Sequence, residues 1–314
     1  MKYLNKLFFL LAVCSLLIAC GGDDEGGDGS DGNGNNSNQS VNANCNLVTN
    51  ERAVSRLEMP KLKGGKSKLI VYRTSSNMYD NDRVNFSVEW DCDKKSQRWS
   101  AYTLHTGYSG SYNRTSGYMN DNVNLSATDY YETDYYYGSG YDHGHICPNA
   151  DRGFSYDANY QTFYLTNMQP QYRRFNGYST SGSDSGEGLW VRLEGLVRKW
   201  TPTQKTDTLF VCKGGTIDGE DKILTRIQDK LIVPKYFFMA CLKKVFQNGK
   251  YQYVAIGFLA EHVNVWATND NLGDYAVSID ELERFTGIDF FCNLPDDIET
   301  QVESSLVKKV WGLQ

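Results

Sequence analysis

Residues Tyr141 to Arg152 read YDHGHICPNADR and place two of the chain's four histidines one residue apart, with a cysteine two positions further on. Side chains alternate between faces along an extended strand, so His143, His145 and Cys147 would share one side. Three chemistries use such a set. Histidine and cysteine are zinc ligands, but neighbours on one face of one strand do not wrap a tetrahedron, and no fourth ligand stands near them. A histidine can instead act as a proton-transferring base, because imidazole titrates unperturbed near neutral pH. The third reading is two ordinary imidazoles satisfied by hydrogen bonds on a strand, and for either residue alone that reading is the commoner one.

Whatever these residues do, flanking elements must position them. GLWVRLEGLVRKW, residues 188–200, spaces Leu189, Trp190, Leu193, Leu196, Val197 and Trp200 as one apolar helix face. Glu194 and Arg198 lie four apart on another face and can meet, as many solvated surface pairs do. Between the histidines and this helix, Pro170 in NMQPQ forbids a helix through 167–171. KLIVYRT (68–74), VNFSVEWD (84–91) and RWSAYTL (98–104) read as strands, and 105–140, rich in Gly, Ser, Asn and Tyr, as mostly loop. LFVCKGG, the run KLIVPKYFFMACLKKV (230–245) and YQYVAIGFLA (251–260) read as three more strands. Ser278 and Glu281 stand at capping-box spacing and predict a helix start. DDIETQVESSLVKKVW carries an amphipathic pattern through Ile298, Val302, Leu306 and Val310. Meandering strands with no βαβ rhythm predict an α+β fold.

The ordered combination DHGHICPNADR, LTNMQPQYRRFN and WVRLEGLVR resembles the DNA/RNA non-specific endonuclease family, which includes secreted bacterial nucleases and mitochondrial endonuclease G. RWSAYTL, IVPKYFF and FTGIDFFCNLPDDIE extend the likeness in the same order, over most of residues 57–303. The resemblance implies a ββα-metal (His-Me finger) fold with a mainly antiparallel sheet flanked by helices. It also implies His145 as general base, Asn176 as the protein ligand of Mg²⁺ (with Mn²⁺ a possible substitute), Glu194 as the residue orienting water at the metal, and Arg198 as a stabiliser of transition-state charge. Asn167 matches the asparagine before Pro-Gln and would brace the site. Arg114, in NRTSGYMND, would match a further phosphate-facing arginine. This sequence departs from the family pattern in two places. His143 stands where the Asp-Arg-Gly-His motif has arginine, and on an extended strand it would face the phosphate beside His145. GYSTSGSDSGEG is inserted between Asn176 and the helix of Trp190.

These residue types suit phosphodiester hydrolysis. A histidine with a pKa near the working pH can take a proton from water. A neutral amide ligand leaves a divalent ion's charge facing the phosphate, and Mg²⁺ tolerates few protein ligands. Arginine adds fixed charge in bidentate geometry. Contacts confined to phosphate and sugar carry no sequence information.

The ends of the chain suggest export. Lys2 and Lys6 precede the apolar run LFFLLAVCSLLIA, too short to span a membrane and ending at Cys20 in a lipoprotein-like cleavage context. Residues 1–19 are therefore expected to be a lipoprotein signal, with Cys20 the lipidated residue. Residues 20–44 would be a flexible tether, since they hold no apolar run that could offset ordering. Its acidic cluster Asp23, Asp24, Glu25 resembles surface-export signals of Gram-negative lipoproteins. The domain 45–314 holds 30 basic against 33 acidic side chains, a net −3 that does not advertise a polyanion partner. Its six cysteines, Cys45, Cys92, Cys147, Cys212, Cys241 and Cys292, suggest disulfides in an exported protein, with fifteen full pairings open.

The sequence thus predicts a metal-dependent endonuclease of DNA and RNA, anchored through lipid on Cys20 to a membrane, expected to be the outer one, with no protein partner evident. An inactive relative that binds nucleic acid or another polyanion is the alternative. A glycan-binding lipoprotein is a third reading, resting only on the anchor and the 22 tyrosines.

Overall fold

A computed structural model describes residues 42–314 other than 49, 76–79, 109, 111 and 113–116. The expected signal, most of the tether, Cys20 and Arg114 lie outside the described residues. In chain order the elements are β1 (Ser67–Arg73), β2 (Val84–Asp91), β3 (Ser96–Leu104), β4 (Asp142–His145), α1 (Tyr156–Gln161), β5 (Met168–Gln171) and α2 (Arg173–Asn176). There follow β6 (Tyr178–Ser179), β7 (Gly186–Glu187), α3 (Leu189–Lys199), β8 (Thr208–Gly215), β9 (Ile223–Ile227), β10 (Leu231–Pro234), β11 (Tyr236–Gln247), β12 (Lys250–Glu261), β13 (Ala276–Val277), α4 (Ile279–Thr286) and α5 (Asp296–Ser304).

Seven of the strands form one sheet in the order β1-β2-β3-β8-β11-β12-β13, every neighbouring pair antiparallel. The central strands are buried on both sides, and alternation splits their side chains between two cores. Tyr102, Leu209, Val211, Met239 and Cys241 face one core together with Trp190, Leu193 and Val197 of α3. Trp99, Phe210, Cys212, Phe238 and Ala240 face the other, with Ile279 and Leu282 of α4 and Val302 of α5. The fold is therefore α+β, a mainly antiparallel sheet between α3 on one face and the α4–α5 pair on the other. The capping box at Ser278 and Glu281 forms, with both reciprocal hydrogen bonds, and α4 ends at Gly287 in the left-handed region.

Four expectations are corrected. The run 230–245 is two strands rather than one. It breaks after Pro234, which has no N–H to donate, and β10 pairs instead with β9, a strand the sequence did not announce. The C-terminal amphipathic pattern does not run through Val310. Ser304 and Ser305 bond back to the carbonyls of Thr300 and Gln301, α5 ends, and a separate turn carries Trp311 into the core against Trp200. The six domain cysteines form no disulfides; all are free, and Cys147, Cys212, Cys241 and Cys292 serve as small buried apolar side chains. Finally, residues 42–44 dock onto the domain. The Asn42 amide donates to Leu294 O at 2.7 Å and that of Asn44 to Glu299 Oε1 at 2.9 Å, ahead of the expected tether boundary.

Candidate active site

β4 and β5 form a separate antiparallel hairpin, with Asp142 opposite Gln171 and His145 opposite Met168. The glycine between the two histidines is required there. A Cβ on Gly144 would lie 2.3 Å from the Gln171 side chain packed across the hairpin. α3 reaches this strand pair through Trp190, whose indole N–H donates to the His145 carbonyl at 3.3 Å. Two strands and a helix thus form a ββα unit, with Glu194 one turn beyond the tryptophan that touches His145.

Asn167 fastens the chain just after His145. Its carboxamide accepts from Cys147 N and donates to Cys147 O and Thr162 O, each at 2.9 Å, with Ser100 Oγ 3.1 Å from its oxygen. Ile146 N also donates to Asn167 O at 3.0 Å. Asn167 is fully buried, and apart from the bond from Ser100 its amide is satisfied by clamping backbone.

Asn176 closes α2, and its Nδ2 donates to Asp142 Oδ2 at 3.2 Å, on the strand of His145. A carboxylate can only accept, so Asp142 fixes which end of the amide is nitrogen and leaves the carbonyl oxygen for another partner. The inserted segment after Asn176 is a short hairpin, β6 against β7, closed by Gly188 N donating to Gly177 O at 2.8 Å. Asp184 at its tip bonds Arg174 at 2.7 Å and the Trp266 indole at 3.1 Å. The insertion is tied down on both sides of the metal-ligand candidate.

Glu194 is largely buried and accepts from Lys213 Nζ at 3.1 Å. Burial pushes its carboxyl above the ordinary range, against the opposing pull of Lys213. Arg198 is held through Nε by Asp151 Oδ1 at 2.6 Å, and Asp151 also accepts from the Tyr102 hydroxyl at 3.1 Å. The two terminal nitrogens of Arg198 make no hydrogen bond among the described residues, and the side chain is 40% exposed. The i, i+4 pair Glu194 and Arg198 therefore does not bond to itself; each takes a buried partner of opposite charge.

His143 has protein partners of its own. Its ring is stacked between Tyr118 at 3.7 Å and Tyr136 at 4.1 Å, with Nε2 2.9 Å from Asp134, and its side chain is only 9% exposed. Tyr118 also lies 6.1 Å from the His145 ring, so both imidazoles do occupy one side of β4. His145 itself meets Phe163 edge-on at 5.0 Å.

Lys213, Asp151, Asp142 and His262 belong to the site without being given a role by any motif above. Lys213 carried a usable signal, being a charged residue at an inward position of the apolar strand LFVCKGG. His262 carried none. It accepts from Tyr172 N at 2.7 Å through Nε2 and donates from Nδ1 to Pro234 O at 2.9 Å, fixing the residue that leads into α2.

Comparison with known proteins agrees with this architecture. The sequence model of the DNA/RNA non-specific endonucleases matches residues 65–297. The chain belongs to the DNA/RNA non-specific endonuclease family. It is 26% identical over 224 residues to a nuclease from Nostoc sp., covering 70% of this chain and 76% of that protein. It is 30% identical over 169 residues to the mitochondrial nuclease of Saccharomyces cerevisiae, covering 51% and 49%. Against the mitochondrial nuclease EXOG of Xenopus laevis it is 26% identical over 223 residues, spanning 68% of this chain and 58% of that one. It thus spans about half to three-quarters of these relatives. The crystal structure of EndoG bound to EndoGI superposes with a TM-score of 0.58 at 18% identity, over 80% of this chain and 96% of EndoG, and shares the ββα-metal fold.

Proposed function

We propose that this protein is an exported, lipid-anchored endonuclease that hydrolyses DNA and RNA without sequence specificity, using His145 as base and one Mg²⁺ ion, with Mn²⁺ able to substitute. The observation that carries the proposal is the joining of three separated segments at one place. Asn176 bonds the strand of His145, Trp190 bonds His145 itself, and Glu194 follows one turn later.

The residues present fit a hard divalent cation. Asp142 turns the Asn176 amide so that its oxygen is the available ligand, and Glu194 contributes a carboxylate with Oε1 on Lys213. When bound, such an ion supplies positive charge to the phosphoryl oxygens. His145 takes the proton of the attacking water. Glu194 accepts a hydrogen bond from water and holds it in place. Arg198, aimed by Asp151, presents its terminal nitrogens to the phosphate where charge develops. Asn167 keeps the His145 backbone from shifting.

The lipid anchor on Cys20 and an outer-membrane, surface-facing location rest on the charged, apolar and cysteine pattern of the first twenty residues and the acidic cluster after it. No helix among the described residues is long and apolar enough to cross a membrane. The experiment is incubation of the purified protein with plasmid and with RNA, each with Mg²⁺, Mn²⁺ or excess EDTA. Cleavage of both substrates, abolished by EDTA, is expected. Full activity in EDTA, or binding without any cutting, would overturn the catalytic reading in favour of a nucleic-acid-binding relative.

A further inference from the structure

On the sheet face opposite α3, the start of α4 and the end of α5 bring three carboxylates together. Asp280 and Glu283 are three apart on α4, and Glu303 approaches from α5. One oxygen from each lies within 4.8 Å of the others. Glu303 is only 7% exposed, and its buried Oε1 has no hydrogen-bond partner. Nearby acids are answered: Asp289 and Glu299 both accept from the Asn44 amide, and Glu283 Oε1 accepts from Phe290 N at 2.7 Å. The groups acting most strongly on Glu303, besides burial itself, are the carboxylates of Glu283, Glu299, Asp289 and Asp280. A buried ionised carboxylate surrounded by like charge is among the costliest arrangements a fold can hold, and it is relieved by a proton or by a cation that joins it.

We propose that Asp280, Glu283 and Glu303 form a second metal site, for Ca²⁺, that fastens α4 to α5 and is separated by the sheet from the nuclease centre. The ligand chemistry selects the ion class. All three donors are carboxylate oxygens, with no histidine or cysteine among them, which suits a hard cation rather than zinc. Ca²⁺ binds carboxylate oxygens at about 2.3–2.6 Å, so one ion can be reached by three oxygens that all lie within 4.8 Å of one another. Ca²⁺ also accepts irregular coordination, whereas Mg²⁺ demands near-octahedral geometry that three side chains on two helices do not supply. The remaining positions would be water.

The test is thermal melting of the full chain in EDTA, in Ca²⁺ alone and in Mg²⁺ alone. Ca²⁺ at about a hundred times its dissociation constant should raise the melting temperature by roughly 5 °C, and Mg²⁺ by clearly less. Glu303→Gln should abolish the Ca²⁺ shift and melt no lower than the unsubstituted protein in EDTA, since the amide keeps the side chain's size and needs neither a cation nor a proton beside it. Asn176→Ala, at the nuclease centre, should retain the shift. If Glu303→Gln does not fold, Asp280→Asn serves, because Asp280 is partly exposed and its loss leaves no buried gap. No Ca²⁺ shift in the unsubstituted protein, a shift that survives in these variants, or one lost in Asn176→Ala would each overturn the proposal.

Discussion

Glu194 and Glu303 are both buried carboxylates, on helices packed against opposite faces of one sheet, and they differ in what faces them. Glu194 meets the ammonium of Lys213, which is itself enclosed by the Trp190 and Tyr102 rings at 5.0 and 5.7 Å. The groups acting most strongly on Glu303 are other acids. On the α3 face the compensating cation is part of the chain, so the charge is held in place whether or not substrate is bound. On the α4–α5 face the strongest neighbours are acids, so what neutralises the carboxylate is a proton or a cation taken from solution. The first arrangement gives a preorganised electrostatic site, which catalysis needs. The second gives a site whose stability depends on what is dissolved around it.

The largest expected effect separates chemistry from packing on the α3 face. His145→Ala should lower kcat by about 10²–10⁴-fold, the usual range for a lost general base, while substrate affinity and melting temperature change little. Single-turnover cleavage together with a binding measurement checks this. Turnover within tenfold of the unsubstituted protein would remove His145 from the base role.

Next in size is the loss of the internal cation. Lys213→Met leaves Glu194 buried and unpaired and should cost about 3 kcal/mol of stability near pH 8, less at lower pH, where Glu194 takes up a proton. Adding Glu194→Gln should recover most of that loss, because both members of the pair are then neutral. Denaturant unfolding of both single variants and the double variant measures the coupling. Additive losses would mean that the pair is not what holds Glu194. Glu303→Gln in EDTA should by contrast cost little or nothing, because an amide there needs no compensating charge.

His262 adds a pH-dependent element to the α3 face. Burial lowers its pKa to about 4, and its two hydrogen bonds require the neutral ring. The unfolded chain takes up a proton near pH 6.5 while the folded one does not until about 4. This contribution is therefore fully present above pH 6.5, is lost as pH falls through the window down to 4, and is constant below. It amounts to at most about 3 kcal/mol. The melting temperature of the unsubstituted protein should fall more steeply across that window than that of His262→Gln, which has nothing to titrate there. Parallel curves would show that His262 does not carry the acid sensitivity.

The sheet was legible in the sequence because strands such as Val84–Asp91 and Thr208–Gly215 are dense in apolar and β-branched residues, and α3 because its apolar face repeats at helical spacing. The candidate site was legible only as an ordered set of motifs. Local pattern could not show that Asp142 would orient Asn176, or that Asp151, in the opening stretch itself, would hold Arg198. Those partnerships join residues 34 and 47 positions apart, and the chain path, not residue type, decides them. The same limit explains the α5 error. An apolar spacing through Val310 is compatible with a continuous helix, and only the serine back-bonds at 304 and 305 end it.

The smallest expected effect concerns His143. As a strand neighbour of His145 in the place of a family arginine, it would be expected to be the weaker phosphate partner of the two residue types. The structure places the ring inside a tyrosine stack with Asp134 at its edge, which gives residue 143 partners other than substrate. A guanidinium is planar, stacks well on aromatic faces and pairs with a carboxylate, so His143→Arg should fit the stack and bond Asp134 in turn. Its permanent charge would then be spent on Asp134 rather than on substrate. We expect kcat/KM to change by less than about threefold between pH 7 and 9, below about 0.7 kcal/mol in the barrier. A pH–rate profile of both proteins on one substrate at fixed salt decides it. A tenfold gain confined to the alkaline side would show that position 143 faces the phosphate after all, and that the Tyr118 and Tyr136 stack opens when nucleic acid binds.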